Sequence, residues 1–248
     1  MVSEEAIKPL SERERKIVTS LRLAKKRSEE RLFVAEGAKA IELLTPSFQL
    51  RWMIASDPTL LIGVGKEARL TSQQEMKKLS SLESRHELIA VFELPSEPPF
   101  TASGLITVAL EEVQNPGNLG TIIRLCDWLG IKNILCSKGC VDPFNPKVVQ
   151  ASMGALGNVT IYQDIDLPEF LPSHFSNIIT TAMDGQDYRT AVIPPNSVII
   201  FGNEGSGISS ELLSIANNRI TIPRAESSIS DSLNVSLSAA ILLSSFTR

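Results

Sequence analysis

The chain has 248 residues, 43% of them hydrophobic and 21% charged, and a formal net charge of −4. That length holds one large domain or two modest ones, and the composition excludes a disordered chain. No run reaches the roughly 18 apolar residues of a membrane span, the charged start MVSEEAIKPLSERERK has no apolar secretory core, and Cys126, Cys136 and Cys140, with His86 and His174 far away, make neither a disulfide framework nor a zinc set. The expectation is three buried thiols in a reducing cytoplasm, with no metal and no membrane.

Net charge alone argues against a nucleic-acid partner, but its distribution does not. Residues 11–31 hold eight cations and four acids, a local charge of +4, and leave −8 on the rest of the chain. Such a patch either touches phosphates or is a solvated helix face.

In chain order, Ser11 and Glu14 form a capping-box pattern that opens a helix with Ile17, Val18 and Leu21 on one face. Leu32–Ala35 reads as a strand, Ala38–Leu44 as a helix, Trp52–Ala55 as a strand and Leu60–Val64 as a third strand. Ser72 caps a helix over Gln73–Leu82, and Leu88–Leu94 is a further strand. This alternation predicts a small α/β domain over residues 1–95. Three prolines in the nine residues Pro95–Ser103 then make a stiff connection, placing a linker at 96–103 and a second domain at 104–248.

The second domain opens with a strand, Leu105–Leu110. Asn118 is suited to cap the helix that follows, in which Ile122, Ile123, Leu125, Cys126 and Leu129 recur at helical spacing. Ile134–Cys136 is a strand, and Asn145-Pro146 opens a helix through Met153. Val159–Tyr162, Asn177–Thr181, Val198–Phe201 and Ile220–Ile222 are strands, with a helix at Ile208–Asn217 and a largely buried helix at Asn234–Phe246. Continuous apolar strands separated by helices imply a parallel sheet covered on both faces.

Three polar clusters fall at carboxyl ends of these strands: Asn115–Arg124, Gly202–Gly207 and Ile222–Asn234. Ligands of open α/β sheets gather at that edge. Each residue also has a plain structural reading. Arg124 suits a snorkelling helix edge, Glu204 a helix cap, and Ser232 and Asn234 N-caps. Gly202, Gly205 and Gly207 lie where a strand runs into a helix, a place that offers bare N–H groups to an anion. The order of the glycines, G-x-x-G-x-G, departs from the dinucleotide fingerprint G-x-G-x-x-G and counts against an oxidoreductase. The loop Arg224–Asp231 is too polar for the core and long enough to be mobile.

NPGNLGTIIR, FGNEGSGIS and IPR…DSLNVSLSAAILL resemble, in that order, the three motifs of the SpoU (TrmH-like) RNA 2′-O-ribose methyltransferases of the SPOUT superfamily, over about residues 105–247. Residues 11–37 resemble, more loosely, the start of the small substrate-binding domain of many members. Asn115 stands where many members have Asp, Arg224 where Met is usual, and Gln150 where Arg is frequent.

The resemblance implies a C-terminal parallel-sheet domain tied in a deep trefoil knot (the α/β knot), which ordinary topology rules would reject, beside a small N-terminal α/β RNA-binding domain. It implies a homodimer whose active sites are completed across the interface. It implies S-adenosyl-L-methionine, held by Thr181, Ala182, Phe201, Gly202, Gly205, Ile222, Ser232 and Leu233. Asn118, Arg124, Glu204, Ser232 and Asn234 would surround the methyl acceptor, a ribose 2′-hydroxyl of RNA. Ribosomal RNA is favoured over transfer RNA by the N-terminal resemblance, and a non-catalytic RNA-binding protein is the alternative. Lys25, Lys26 and Arg27 are the expected RNA contacts.

Overall fold

In a computed structural model, residues 7–82, 87–102 and 106–247 are described. His86, Ser103 and Leu105, named above, lie outside them. The chain divides into two compact units, Met1–Ser96 with Asp142–Gly157, and Glu97–Val141 with Asn158–Arg248.

The first unit contains β1 (Lys8–Pro9), α1 (Glu12–Ser20), α2 (Ala24–Glu30), β2 (Leu32–Glu36), α3 (Ala38–Leu44), β3 (Leu50–Ala55), β4 (Ala68–Leu70), α4 (Gln73–Leu79) and β5 (Leu88–Glu93). Its sheet runs β1-β4-β3-β5-β2. The Ser11–Glu14 capping box is formed in both directions, and Val18 and Leu21 enter the core with Val34, Trp52, Ile54 and Ile89. Leu60–Val64 is not a strand: Asp57-Pro58 closes a 3₁₀ turn over Pro58–Leu61, with the Asp57 side chain accepting from the Thr59 N–H. The strand comes later, as β4.

Asp142–Gly157, read in sequence as part of the second domain, is built into this first unit. It carries α6 (Pro146–Ser152). Phe144 packs 4.9 Å from Phe33 between ring centroids, inside a cluster with Phe48 and Phe92. Gly154 lies on Leu43 and Gly157 on Ser47, each too close to admit a Cβ without movement.

Arg27 explains why. It is 2% exposed. Its guanidinium donates to Asp142 Oδ2 through Nε at 2.8 Å and to the Leu21 carbonyl at 2.7 Å. The expected RNA contact at Arg27 is therefore corrected: the side chain is spent on a buried ion pair, and a cation so placed is retained only with its partner.

The second unit contains β6 (Thr107–Leu110), α5 (Pro116–Trp128), β7 (Asn133–Ser137), β8 (Thr160–Ile165), α7 (Leu167–His174), β9 (Asn177–Asp187), β10 (Ser197–Phe201), α8 (Ser210–Ile215), β11 (Asn218–Thr221) and α9 (Val235–Phe246). Its six strands are all parallel, in the order β11-β9-β10-β6-β7-β8. β6 and β10 are buried at every position, as strands of a sheet covered on both faces require. The chain leaves β6 toward β7 and β8, then fills the other side with β9, β10 and β11. The order thus reverses between β6 and β10, and such a switch point opens a crevice at the strands' carboxyl ends. Residues 95–102 carry no helix or strand, and Phe100 packs edge-on against Tyr162 and Phe170. α9 is less covered than expected: Leu237 is 58% exposed.

Candidate active site

The switch point brings the first two polar clusters together. After β6 the chain passes Glu111 and Glu112 into α5. The N-cap of α5 is Asn115, not Asn118: Asn115 Oδ1 accepts the N–H groups of Gly117 and Asn118 at 2.8 and 3.2 Å. With the cap already made, the Asn118 side chain is released. Its Nδ2 donates to Glu204 Oε1 at 2.7 Å, and its Oδ1 accepts from Asn234 Nδ2 at 3.0 Å. Asn234 also caps α9, its Oδ1 accepting from the Ser236 and Leu237 N–H groups. The cap reading of Asn234 is met, and the other face of the same amide reaches Asn118. One amide thus ties three loops that are far apart in sequence.

The glycine loop spends most of its N–H groups within the fold. Asn203 and Gly207 pair through both backbone bonds at 3.0 Å. Asn203 Oδ1 takes the N–H groups of Gly205 and Ser206 at 2.8 and 3.0 Å, and its Nδ2 donates to the Glu112 carbonyl at 2.9 Å. The helix starts only at Ser210, capped by Ser209, whose own N–H donates to Glu111 Oε2 at 2.8 Å. The anion-cradle reading therefore fails: the loop consumes its own donors. Gly202 needs its missing Cβ for the same hairpin, since a Cβ there would overlap the Gly207 carbonyl. Asn203 and Glu111 are structuring residues that the sequence reading missed. Their signal was slight, a polar residue flanking a turn.

Beside this hairpin lies a cleft of about 660 Å³ at the carboxyl ends of β9, β10 and β11. All eight residues expected around the methyl donor line it, as does Glu204. Thr181 Oγ1 donates to the Ile200 carbonyl at 3.1 Å and fixes that wall. The cleft also takes in Arg224, which stands where the family usually has Met, and Met183, Ser228 and Ser238, which the sequence reading did not single out. Arg224 closes its loop on itself by donating to the Ser230 carbonyl at 3.1 Å.

Asn118 and Asn234 stand behind Glu204 and do not line this cleft. Arg124 does not line it either. Six positions beyond Asn118, at about 100° per residue, it points about 120° away from that side chain. It is exposed, with no side-chain hydrogen bond or ion pair among the described residues. Lys25 and Lys26 lie on α2 in the first unit, each against Glu29, at 3.9 and 2.6 Å. Cys126 and Cys136 are buried, and burial pushes the Cys126 thiol up; Cys140 is half-buried, so the expectation of three buried thiols holds for two. Among the described residues no group of three or more His, Cys, Asp or Glu could hold a metal ion, and no helix is long and apolar enough to cross a membrane.

Comparison with known proteins covers the stretch that carries this geometry. The model of the SpoU rRNA Methylase family matches residues 105–244. The 23S rRNA (guanosine(2553)-2′-O)-methyltransferase RlmP of Bacillus subtilis is 27% identical over 232 residues, covering 90% of this chain and 91% of its own. The tRNA (guanosine(18)-2′-O)-methyltransferase of Thermus thermophilus is 34% identical, covering 56% of this chain and 72% of its own. The AdoMet-bound rRNA methyltransferase of Sinorhizobium meliloti superposes with a TM-score of 0.83 at 26% identity, over 96% of this chain and 95% of that one. The matched span contains all three loops that Asn118 ties, and on that ground the chain belongs to the SpoU rRNA methylase family.

Proposed function

We propose that this chain methylates a ribose 2′-hydroxyl of ribosomal RNA, with S-adenosylmethionine as donor. The observation that carries the reading is the bond sequence Glu204–Asn118–Asn234 at the switch point of a parallel sheet, beside a cleft that Glu204 lines. The donor fits what is there. About 660 Å³ lies within the range of small-molecule sites, and the walls mix backbone polar groups at Phe201–Gly202 and Ile222 with the apolar side chains of Leu233 and Leu242. When bound, S-adenosylmethionine supplies a methyl group already activated by its sulfonium.

The chain's own residues then have to hold a 2′-hydroxyl in line and help its proton leave, and orientation can carry much of that barrier. Glu204, fixed by Asn118, and Ser232 form the acceptor side. Arg124 grips the phosphate next to the reacting ribose and steadies developing alkoxide charge. A guanidinium does not give up its own proton at such a site, so the proton passes to phosphate or water.

Arg124 cannot do this from its own chain's cleft, which it does not line. The outer face of α5 continues from Arg124 to Trp128, 86% exposed, and α9 beside it presents Leu237. Large exposed apolar side chains on adjoining helices mark an interface. A two-fold homodimer through α5 and α9 covers them and delivers Arg124 to the other subunit's cleft. The same reading includes a trefoil knot tying the loops at 202–209 and 222–234, an RNA-binding unit over 1–95, a methyltransferase domain over 104–248, and residence in the cytoplasm with the RNA.

Ribosomal RNA is favoured because the Bacillus relative spans nine-tenths of both chains, first unit included, whereas the Thermus tRNA enzyme matches little more than half of this one. The test is transfer of tritiated methyl from S-adenosylmethionine to unmodified 23S RNA, followed by alkaline hydrolysis. Label in alkali-resistant dinucleotides supports a 2′-O product, and label in mononucleotides points to a base.

A further inference from the structure

The patch that sequence singled out for RNA is largely neutralised. Arg27 is buried on Asp142, and Lys25 and Lys26 share Glu29. Arg13 and Arg31 of the same stretch, with four further cations, face a cleft of about 760 Å³ lined by six cations and four carboxylates in all. The cleft lies where β2 begins and β5 ends, at the paired residues Leu32 and Glu93.

Part of its charge is framework. Glu14 accepts the Ser11 N–H at 2.8 Å and Arg69 Nε at 2.7 Å, while Arg69 Nη1 donates to the Lys66 and Ala68 carbonyls. Arg31 is fixed on the Pro95 carbonyl at 2.8 Å. Lys66 stands 4.0 Å from Glu67, which leaves Lys8, Arg13 and Arg51, exposed and without an ion pair among the described residues. The guanidinium carbon of Arg51 lies over the Trp52 ring, 5.8 Å from its centroid, a cation–π contact that leaves an unpaired fork able to take a phosphate in two bonds. Glu30 and Glu93 also face the cleft and keep its net charge small. Such a cleft suits a few phosphates of one strand, not a long duplex.

The geometry points to this cleft, through Lys8, Arg13 and Arg51, as a binding site for the sugar–phosphate backbone of the substrate RNA. The inference rests on the reading of the chain as an RNA methyltransferase and adds where the RNA is gripped. Free phosphate has the same chemistry, and the test separates the two.

The full chain is measured by filter binding to in vitro transcribed 23S RNA of Bacillus subtilis over a range of KCl concentrations. The triple variant Lys8→Gln, Arg13→Gln, Arg51→Gln is compared with Lys25→Gln, Lys26→Gln. Each phosphate contact adds about 0.7–0.9 to the salt slope. The triple variant is expected to lose on the order of 30-fold in affinity and about 2 in slope, with calorimetric affinity for S-adenosylmethionine unchanged. The lysine control loses less than about threefold. If the triple variant does not fold, the single variants Arg13→Gln and Arg51→Gln should each lower the slope by about 0.7–0.9.

Unchanged affinity and slope in the triple variant, or an equal loss in the control, overturns the cleft. So does displacement of the RNA by inorganic phosphate at matched phosphate concentration. Methyl transfer by the wild-type chain alongside those results leaves the enzyme reading intact; a wild-type chain that neither binds nor methylates RNA overturns both.

Discussion

Asn118 donates to Glu204 across 86 positions of sequence, at 2.7 Å. The bond exists because Asn115 takes over the helix cap. Asn118→Ala removes two exposed hydrogen bonds and should cost about 1–3 kcal/mol at most, while lowering methyl transfer by about 10- to 100-fold. Single-turnover transfer beside a thermal melt checks this. Asn118→Asp should be worse, because it faces Glu204 with a second carboxylate.

The placement of Arg124 makes a prediction about subunits. Arg124→Ala and Glu204→Ala should each be inactive alone. Mixed and refolded together, they should form heterodimers with one site lacking both residues and one intact site. Activity should return to about a quarter of wild type for equal mixing in a two-fold dimer. No recovery from a mixture shown to exchange subunits would place Arg124 and Glu204 in the same chain's site. Arg124→Lys keeps the charge and loses the fork, so it should retain only a small part of the rate.

Gly202→Ala drives a Cβ into the Gly207 carbonyl. Backbone cannot yield there without opening the hairpin that Asn203 braces. A loss of about 1–3 kcal/mol in urea unfolding is expected, with weakened S-adenosylmethionine binding by calorimetry.

The Arg27–Asp142 pair joins α2 to a segment 115 positions away, inside the first unit. Arg27→Ala strands a mostly buried carboxylate and should cost about 3 kcal/mol, whereas Arg27→Met, which fills the space, should cost less when paired with Asp142→Leu. Equilibrium urea unfolding distinguishes them.

Glu14 makes a pH prediction. Burial pushes its carboxyl up, but the Ser11 N–H and the Arg69 guanidinium outweigh that and hold it below the usual carboxylate range. A lowered folded value stabilises above the unfolded carboxylate range and is lost as pH falls through the folded value. The melting temperature of wild type should therefore exceed that of Glu14→Gln at pH 7, and the difference should shrink between about pH 5 and about pH 3.

Much of this was legible in local sequence. The capping box at Ser11–Glu14, the apolar spacing after Asn118 and the unbroken strands around β6 and β10 are short-range signals, and each formed where it was read. The eight residues named on the family resemblance all line the cleft, while the strand-end cluster Asn115–Arg124 does not. What failed depended on distance. Nothing near Arg27 says that Asp142 will bury it. Nothing near Gly202 says that its neighbour is Gly207 and not a ligand. α7 holds Pro168 and Pro172 in eight residues, which hid its helical period. Leu60–Val64 had a strand's composition, but the Asp57-Pro58 turn before it fixed a tighter path.

The central claim is that this chain places a methyl group on a ribose of ribosomal RNA. Its most direct test is a map of 2′-O-methyl positions in ribosomal RNA from cells with the gene, without it, and restored with wild type or with Asn118→Ala. The account predicts one ribose that loses its methyl group without the gene, regains it with wild type and stays largely unmethylated with the variant. Identical ribosomal RNA maps with and without the gene would contradict it.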